Sequence, residues 1–372
     1  MQRLKVCLIA NQIAAWDKIG GFGTATRALG RGLVDAGVEV AAVVPRRAKA
    51  GQAAVEQLDG ITVYGMGIRK TLSSGRIFSE IDADIYHSQE PTIVTRLAQR
   101  AVPDVVHVVT CRDPRGLREH LIELRHANYK RRVIAPATWL YEASPMVKRS
   151  VRNADAVFMS APSYLTPKIR ALYGGDIDPE FVSSPVDMPD DPPVKSPNPL
   201  ALFVGRWDRR KRIERFFELT KRLPDVRFVA VGRAHDGAYD ARLREQYGSL
   251  PNLELPGFLS RFGEGELQDI YDRAWVLINT SAREGLPYTF LEAGARGCAI
   301  LSGLDPEHFV SRFGHLVAGE TVEDLEAGLL TLLDDEEWRR RGRAAAEYVR
   351  STYGEAESLR RHLERYQTLL GR

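Results

Sequence analysis

Cysteine is scarce in this chain: Cys7, Cys111 and Cys298 are the only three in 372 residues. They lie far apart and are odd in number. That excludes a disulfide framework and any cysteine-based metal or redox spacing, and it fits a reducing compartment. Long apolar runs are missing too. No stretch approaches the roughly 20 apolar residues of a membrane-spanning helix. The run after the basic residues in Met1–Ala10 is too short for a secretory signal and is broken by Asn11-Gln12, so it reads as a first strand. Charge of one sign is not in excess. A formal net charge of +3 argues against nucleic acid as the main partner. The sequence also lacks internal repeats, low-complexity tracts, metal-ligand spacing, and any Ser/His/Asp or Cys/His arrangement for a nucleophile.

What is present is an ordinary globular composition, 44% hydrophobic and 27% charged, at a length that suggests about two domains. Apolar runs at Val6–Ala10, Val38–Val44, Asp84–His87, Val105–Thr110 and Ala156–Ala161 alternate with helical patterns. The first of these helices, near Ala25–Ala36, is set off by Gly20-Gly-Phe-Gly23 and stopped by Gly37. Alternation of this kind predicts a parallel sheet covered by helices. A proline-dense polar stretch, Ser183–Pro199, reads as a linker. The pattern then restarts, with strands at Leu200–Gly205, Arg227–Val231, Trp275–Ile278 and Ala299–Ser302. Helices follow at Ile213–Arg222, Tyr239–Tyr247, Glu266–Arg273 and Thr289–Arg296. From about Val322 the chain reads helical to its end, with a break at Gly354. The expected fold is α/β: two doubly wound, Rossmann-like domains facing each other across a cleft, with ligands at the C-terminal ends of the strands.

Three stretches carry chemistry. In Ser281-Ala-Arg-Glu284-Gly285-Leu286-Pro287-Tyr288-Thr-Phe-Leu-Glu292-Ala293, a loop leaves a strand and a helix begins, with Pro287 suited to its first turn. Glu284 lies just outside the helix N-terminus and Glu292 roughly one and a half turns inside. The N–H groups of that first turn favour an anion, whereas carboxylates suit vicinal hydroxyls. A ligand with phosphate in its middle and a sugar at each end reconciles the two. The second stretch, Gly205-Arg206-Trp-Asp-Arg-Arg-Lys211-Arg212, places five cations within seven residues at the end of a strand. It reads as a diphosphate clamp or as a solvated basic loop. The third, Ile19-Gly20-Gly21-Phe-Gly23, follows the first strand. It would let backbone approach a ligand, but such a turn is also common for structural reasons.

Together these motifs resemble the retaining nucleotide-sugar glycosyltransferases of the GT-B type, family four. The matching features are Gly20-Gly21, the helix exit Leu33-x-x-x-Gly37-x-Glu39-Val40, Gly205-Arg206 with Lys211, and Glu284-x7-Glu292 with its Glu-Gly and Leu-Glu-Ala. Gly257 and Leu267-x-x-x-Tyr271-x-x-Ala274 also match. The resemblance implies three regions: 1–190, an acceptor-binding domain; 191–352, a nucleotide-sugar-binding domain; and 353–372, a last helix packing back on the first domain. It implies transfer of a sugar from a nucleotide-diphosphate sugar with retention of configuration, and neither metal nor cofactor. Arg206 and Lys211 would neutralise the diphosphate, Glu292 would hold the ribose hydroxyls and Glu284 the donor sugar. Backbone at Gly21, Gly205, Gly285, Leu286 and Tyr288 would line the donor site; Pro287 has no N–H to give.

The first domain departs most from the family. Where relatives carry a histidine after the strand ending Val108-Val-Thr-Cys111, this chain has Arg112. An arginine cannot shuttle a proton but could bind an acidic acceptor. His87 ends a strand and is a further acceptor-side candidate, with Gly20 and Arg112, against a structural role. His107 reads as a core or interdomain residue. Gly303-Leu-Asp-Pro-Glu307 matches the family's glycine-rich turn only in part.

Cations crowd 115–152, among them Arg115, Arg118, Arg125, Lys130, Arg131, Arg132, Lys148, Arg149 and Arg152, with Trp139, Leu140 and Tyr141 interleaved. They read as a solvated face, or as a surface for an acidic or lipid-linked acceptor at an anionic membrane. The expected location is the cytoplasm, with peripheral contact at the inner membrane face under the second reading. A phosphorylase, a nucleotide-sugar epimerase or hydrolase, a non-catalytic nucleotide-sugar-binding protein and a dinucleotide-dependent oxidoreductase remain as alternatives. The sugar, the base and the acceptor are not written in the residues.

Overall fold

The structure, a computed structural model, describes residues 3–16, 20–46, 53–67, 75–127, 129–319 and 321–371, and no side chains for 129–131. Ile19 and the side chains of Lys130 and Arg131 therefore lie outside the described residues. The chain divides into two compact units. Unit 1 is Met1–His120, Tyr129–Pro185 and Glu355–Arg372; unit 2 is Leu121–Asn128 and Val186–Gly354. The divisions fall at 185/186 and 354/355, a few residues from the expected 190/191 and 352/353.

Unit 1 begins β1 (Lys5–Ile9), α1 (Gly21–Asp35), β2 (Glu39–Arg46), β3 (Val55–Leu58), β4 (Ile61–Gly67), α2 (Gly75–Ile81), β5 (Ile85–Ser88) and α3 (Ile93–Ala101). It continues β6 (Val106–Thr110), α4 (Leu117–His126), α5 (Tyr129–Glu142), α6 (Pro145–Arg152), β7 (Ala156–Met159), α7 (Pro162–Tyr173) and β8 (Glu180–Phe181), the end of α4 counting with unit 2. The eight strands lie in the order β3-β4-β2-β1-β5-β6-β7-β8 and are parallel except for the β3–β4 hairpin. The central strands are buried on both faces, which is why they read as continuous apolar runs rather than as alternation. The hairpin was not legible. Val55–Leu58 alternates half-buried with exposed residues at a sheet edge and carries little apolar signal.

Helix α1 starts earlier than its sequence pattern suggests. Gly20 is its extended N-cap, so Gly21 and Gly23 lie in the first turn rather than in a preceding loop. A Cβ on Gly23 would come within 3.2 Å of the Ala14 backbone nitrogen, and Ala14 N–H donates to the Gly23 carbonyl at 3.0 Å. The glycines here let the β1–α1 loop lie against the helix.

Unit 2 comprises β9 (Leu200–Val204), α8 (Ile213–Arg222), β10 (Arg227–Val231), α9 (Gly237–Tyr247), β11 (Leu253–Gly257), α10 (Glu266–Arg273) and β12 (Val276–Asn279). Then come α11 (Tyr288–Ala295), β13 (Ala299–Ser302), α12 (Phe309–Phe313), β14 (Gly314–Leu316), α13 (Val322–Leu333) and α14 (Glu337–Tyr353). Its six strands are all parallel, in the order β11-β10-β9-β12-β13-β14. The apolar core packs Phe203, Phe216, Phe217 and Phe228 with Trp207 and Trp338. The proline-dense stretch is fastened to unit 2 at several points, among them Val186, Asp187, Lys195 and Ser196. Lys195 Nζ donates to the carbonyls of Ala274 at 2.7 Å and Arg296 at 2.6 Å, the C-cap residues of α10 and α11. A cation there suits the negative ends of two helix dipoles.

The last helix, α15 (Glu355–Leu369), belongs to unit 1. Gly32 of α1 lies against Leu359, Arg365 forks onto Glu180 at 2.6 and 2.8 Å, and Ser358 donates to the Ser183 carbonyl at 2.6 Å. Inside, Tyr366 Oη meets His87 Nδ1 at 2.6 Å, while His87 Nε2 meets Thr110 Oγ1 at 2.6 Å. His87 is fully buried, with His362 and Phe158 against its ring. Its role here is to join α15 to the centre of the sheet, not to line a ligand site. His107 is likewise buried, with Nε2 2.9 Å from the Val102 carbonyl.

Burial, helped by the neighbouring cations, holds His87 well below the ordinary histidine value and His362 at about 4. A histidine whose folded value is depressed stabilises fully above about pH 6.5, its unfolded value, and loses that contribution as pH falls through the folded value. Thermal unfolding between pH 7 and pH 4.5 should therefore show a falling Tm, shallower in His362→Asn. Equal slopes in the two proteins would rule out this coupling.

Candidate active site in unit 2

In unit 2 the chain leaves β9 for β10 on one side and β12 for β13 on the other, and β9 and β12 are neighbours. Parallel α/β sheets bind ligands at the carboxyl ends of strands where the connections diverge in this way. The two loops that meet there are 205–212, after β9, and 280–287, after β12.

Gly205 ends β9 at φ +156°, and its N–H donates to the Val231 carbonyl at 3.1 Å. Gly232 at the end of β10 has φ +135°, and a Cβ there would stand 1.9 Å from the Gly205 carbonyl oxygen. The two adjacent strand ends can approach this closely only with a glycine at 232.

The loops are stitched together. Ala282 N–H donates to the Arg210 carbonyl at 2.9 Å, and Thr280 Oγ1 to the Lys211 carbonyl at 2.6 Å. Arg212, left-handed at φ +49°, sends Nε to the Thr280 carbonyl at 2.6 Å and Nη2 to the Ser281 carbonyl at 2.9 Å. Thus the five cations of the basic run divide. Arg212 fastens loop to loop, Arg209 is exposed, and Arg206 pairs with Asp208 at 3.5 Å.

Lys211 and Arg210 converge on Glu284. Lys211 Nζ donates to Glu284 Oε1, and Arg210 Nη1 stands 3.9 Å from Oε2 while donating to the Arg283 carbonyl at 2.9 Å. The Glu284 side chain is only 12% exposed. Burial alone would raise its pKa. The charges of Lys211 and Arg210, with the hydrogen bond from Lys211, outweigh burial and hold it at about 2. It is therefore a buried carboxylate, fully ionised at neutral pH. Arg210 did not stand out from its neighbours in the sequence; only position separates it from Arg209.

Pro287 is the N-cap of α11 rather than its first residue, and no side chain caps this helix. Gly285 and Leu286 form the half-buried turn that leads into it, and Tyr288 begins it. On its inner turn Glu292 accepts from the Tyr271 hydroxyl at 3.1 Å and from Arg261 Nη1 at 3.4 Å. Arg261 also donates to the Tyr288 hydroxyl and lies 5.1 Å over that ring. Burial raises the Glu292 pKa, opposed by Arg261 and Tyr271. Glu284 and Glu292 are thus two separately held carboxylates on one strand–loop–helix packet, one ion-paired to Lys211 and the other set in a Tyr–Arg frame. Tyr271 lay within a stretch the sequence marked, without a role attached to it.

In unit 1, Arg112 follows β6. It donates Nε to the Gln89 carbonyl at 3.2 Å and two further N–H groups to Gln89 Oε1 and Ser184. It fastens the end of β5 to the segment after β8. Glu307 takes a left-handed conformation, φ +59°, in a short 3-10 turn after β13. Among the described residues no group of three or more His, Cys, Asp or Glu could hold a metal ion, and no helix is long and apolar enough to cross a membrane.

Two sheets, parallel but for one hairpin and each flanked by helices, match the fold of GT-B glycosyltransferase structures. Residues 187–348 match the family model described as Glycosyl transferases group 1. Among solved structures, sucrose-phosphate synthase from Thermosynechococcus elongatus superposes with a TM-score of 0.79 at 18% identity, covering 99% of this chain and 100% of that one. HepE from Anabaena, in complex with UDP and glucose, gives 0.70 at 13% identity, covering 98% and 100%. The catalytic domain of starch synthase IV from Arabidopsis thaliana, bound to ADP and acarbose, gives 0.64 at 14% identity, covering 100% of both chains. No curated protein matches the chain in sequence.

Proposed function

We propose that this chain transfers a sugar from a nucleotide-diphosphate sugar to an acceptor, with retention of anomeric configuration and without a metal ion or cofactor. The observation that carries this reading is the buried Glu284, ionised by Lys211 and Arg210 at the strand crossover of unit 2. Without a ligand the cations neutralise Glu284. With a donor in place Lys211 and Arg206 would turn to the diphosphate, freeing Glu284 to accept from the sugar's hydroxyls. Glu292, already placed to accept, would take the ribose hydroxyls. Backbone at Gly205, Gly285, Leu286 and Tyr288 would face the phosphates beside the uncapped start of α11, and Gly21, with Gly20, offers backbone at the start of α1. Such a reaction needs charge stabilisation on the departing diphosphate more than a protein nucleophile. Neighbours of the same fold hold UDP with glucose, or ADP with acarbose, which supports a nucleotide-sugar donor. The three buried cysteines suit the cytoplasm as its location.

A thermal-shift panel of nucleotide diphosphates and their sugars tests the donor. A ligand at 100 times its Kd should stabilise by about 2.7 kcal/mol. Glu284→Ala should then lower sugar transfer by roughly 100-fold or more while the protein stays folded. If no nucleotide shifts the Tm, or Glu284→Ala transfers at the wild-type rate, the assignment fails. Transfer that persists in EDTA is the expected result for the metal-free part of the reading.

A further inference from the structure

Unit 1 has a strand crossover of its own. The chain leaves β1 towards β2 and β5 towards β6, in opposite directions, and β1 and β5 are neighbours. At their carboxyl ends Asn11 Nδ2 donates to Glu90 Oε2 at 2.9 Å. A cavity of about 310 Å³ opens there, reaching along the segment after β6 to the end of α5. Its wall includes Trp139 and Tyr141, rings that are 38% and 40% exposed. Glu90 and Asp113 line it too, and burial raises the Glu90 pKa. Flat aromatic faces beside carboxylate and amide groups complement a sugar ring, which offers apolar C–H faces and a rim of hydroxyls.

The cavity shares Ala143, Lys148 and Tyr173 with a second, of about 390 Å³. The charged residues lining that second cavity are all cations: Lys148, Arg149 and Arg152. Arg152 pairs with Asp176 at 3.5 Å, whereas Lys148 and Arg149 are in no ion pair with a described carboxylate. Here the crowding of cations noted in 115–152 resolves into parts. Arg115 is committed to Glu142, which also meets His120 at 3.1 Å. Of the two unpaired cations, Lys148 lines both cavities and Arg149 lines the second. A lysine beside an arginine with free donors suits a phosphate.

We propose that unit 1 binds a phosphorylated sugar, its ring against Trp139 and Tyr141 and its phosphate on Lys148 and Arg149. Calling that molecule the acceptor rests on the transfer reading above; its binding does not. Isothermal titration of the full chain with glucose, inorganic phosphate and the 1- and 6-phosphates of glucose tests the site. At least one hexose phosphate should bind 10-fold or more tightly than glucose or phosphate. A Lys148→Ala/Arg149→Ala double variant should remove that advantage, and Trp139→Ala should weaken the hexose phosphate without changing binding of inorganic phosphate. All three side chains are solvent-exposed, so the variants should fold. The proposal is overturned if no hexose phosphate binds, if inorganic phosphate binds as well as any of them, or if either variant binds as wild type. Titration with UDP and ADP in parallel keeps the two readings apart. Lost nucleotide binding with intact hexose phosphate binding sinks the donor assignment alone, and the converse sinks this one alone.

Discussion

Lys211→Met should reduce sugar transfer by at least 100-fold and destabilise unit 2 by about 3 kcal/mol or more. Removing one partner of a buried ion pair leaves the other charge uncompensated, at a cost of about 3–5 kcal/mol. Arg210 softens this, but at 3.9 Å it makes no direct hydrogen bond to Glu284. The pH dependence should change with it. In the wild type the folded Glu284 carboxyl sits at about 2, below its unfolded value, so its contribution is complete above about pH 4.5 and is lost as pH falls through about 2. Without Lys211 the largest opposing charge is gone and burial raises the pKa. The acid loss that Glu284 contributes should therefore shrink or reverse, so that the variant's deficit against wild type is smaller at pH 4.5 than at pH 7. Denaturant titrations at pH 7 and pH 4.5, with transfer assays at pH 7, provide the check. Unchanged activity would remove Lys211 from the site. An equal deficit at the two pH values would mean that Glu284 is not held as described.

Gly232→Ala should cost about 3 kcal/mol and abolish nucleotide binding. The added methyl would stand 1.9 Å from the Gly205 carbonyl oxygen. No side chain can rotate away, because the obstacle is backbone at the end of β9. Overpacking of this kind costs about 1–3 kcal/mol, and a residue other than glycine at this positive φ adds strain of roughly 1–3 kcal/mol. The methyl should push apart the ends of β9 and β10, and with them the loop that carries Lys211. Gly37→Ala is the contrasting case: it has a positive φ but nothing within 4 Å of its Cβ. It should be destabilised by strain alone, with nucleotide binding retained. Equal losses in the two variants would refute the close approach at Gly232.

Much of unit 2 was legible because most of its elements carry their own local signal. Ile213–Arg222, Glu266–Arg273, Arg227–Val231 and Ala299–Ser302 are apolar-periodic or buried runs with clear punctuation, and the structure has them with those bounds. The β3–β4 hairpin, β8, β11 and β14 were not seen. They are edge or near-edge strands, too short or too alternating to stand out from loops. Helix α1 was placed four residues late, because glycine signals a turn locally. The packing of residues 12–14 against Gly23, which no local pattern records, makes those glycines helical.

The candidate site shows the same division. Glu284, Glu292 and the basic run are visible as residue types at a spacing, and their flanking strand and helix can be read beside them. Their partners cannot. Whether Arg206, Arg210 or Lys211 reaches Glu284 depends on the path of two loops that are some seventy positions apart in sequence and are joined by hydrogen bonds such as Ala282 to Arg210. Likewise, His87 at the end of a strand looks the same whether it faces a ligand or the core, and Tyr366, more than 270 residues later, decides that it faces the core.

By itself, then, the sequence determined the two α/β units and the chemical alphabet of the candidate site. Hydrophobic periodicity, glycine and proline act over a few residues, and those features need no more. Only the tertiary structure decided which cation pairs with Glu284, that Tyr271 and Arg261 frame Glu292, and that Arg112 and His87 hold the fold together. Those outcomes rest on burial and on distances across strands adjacent in space but not in sequence. A charge in the low-dielectric interior is governed by whichever opposite charge lies within a few ångströms.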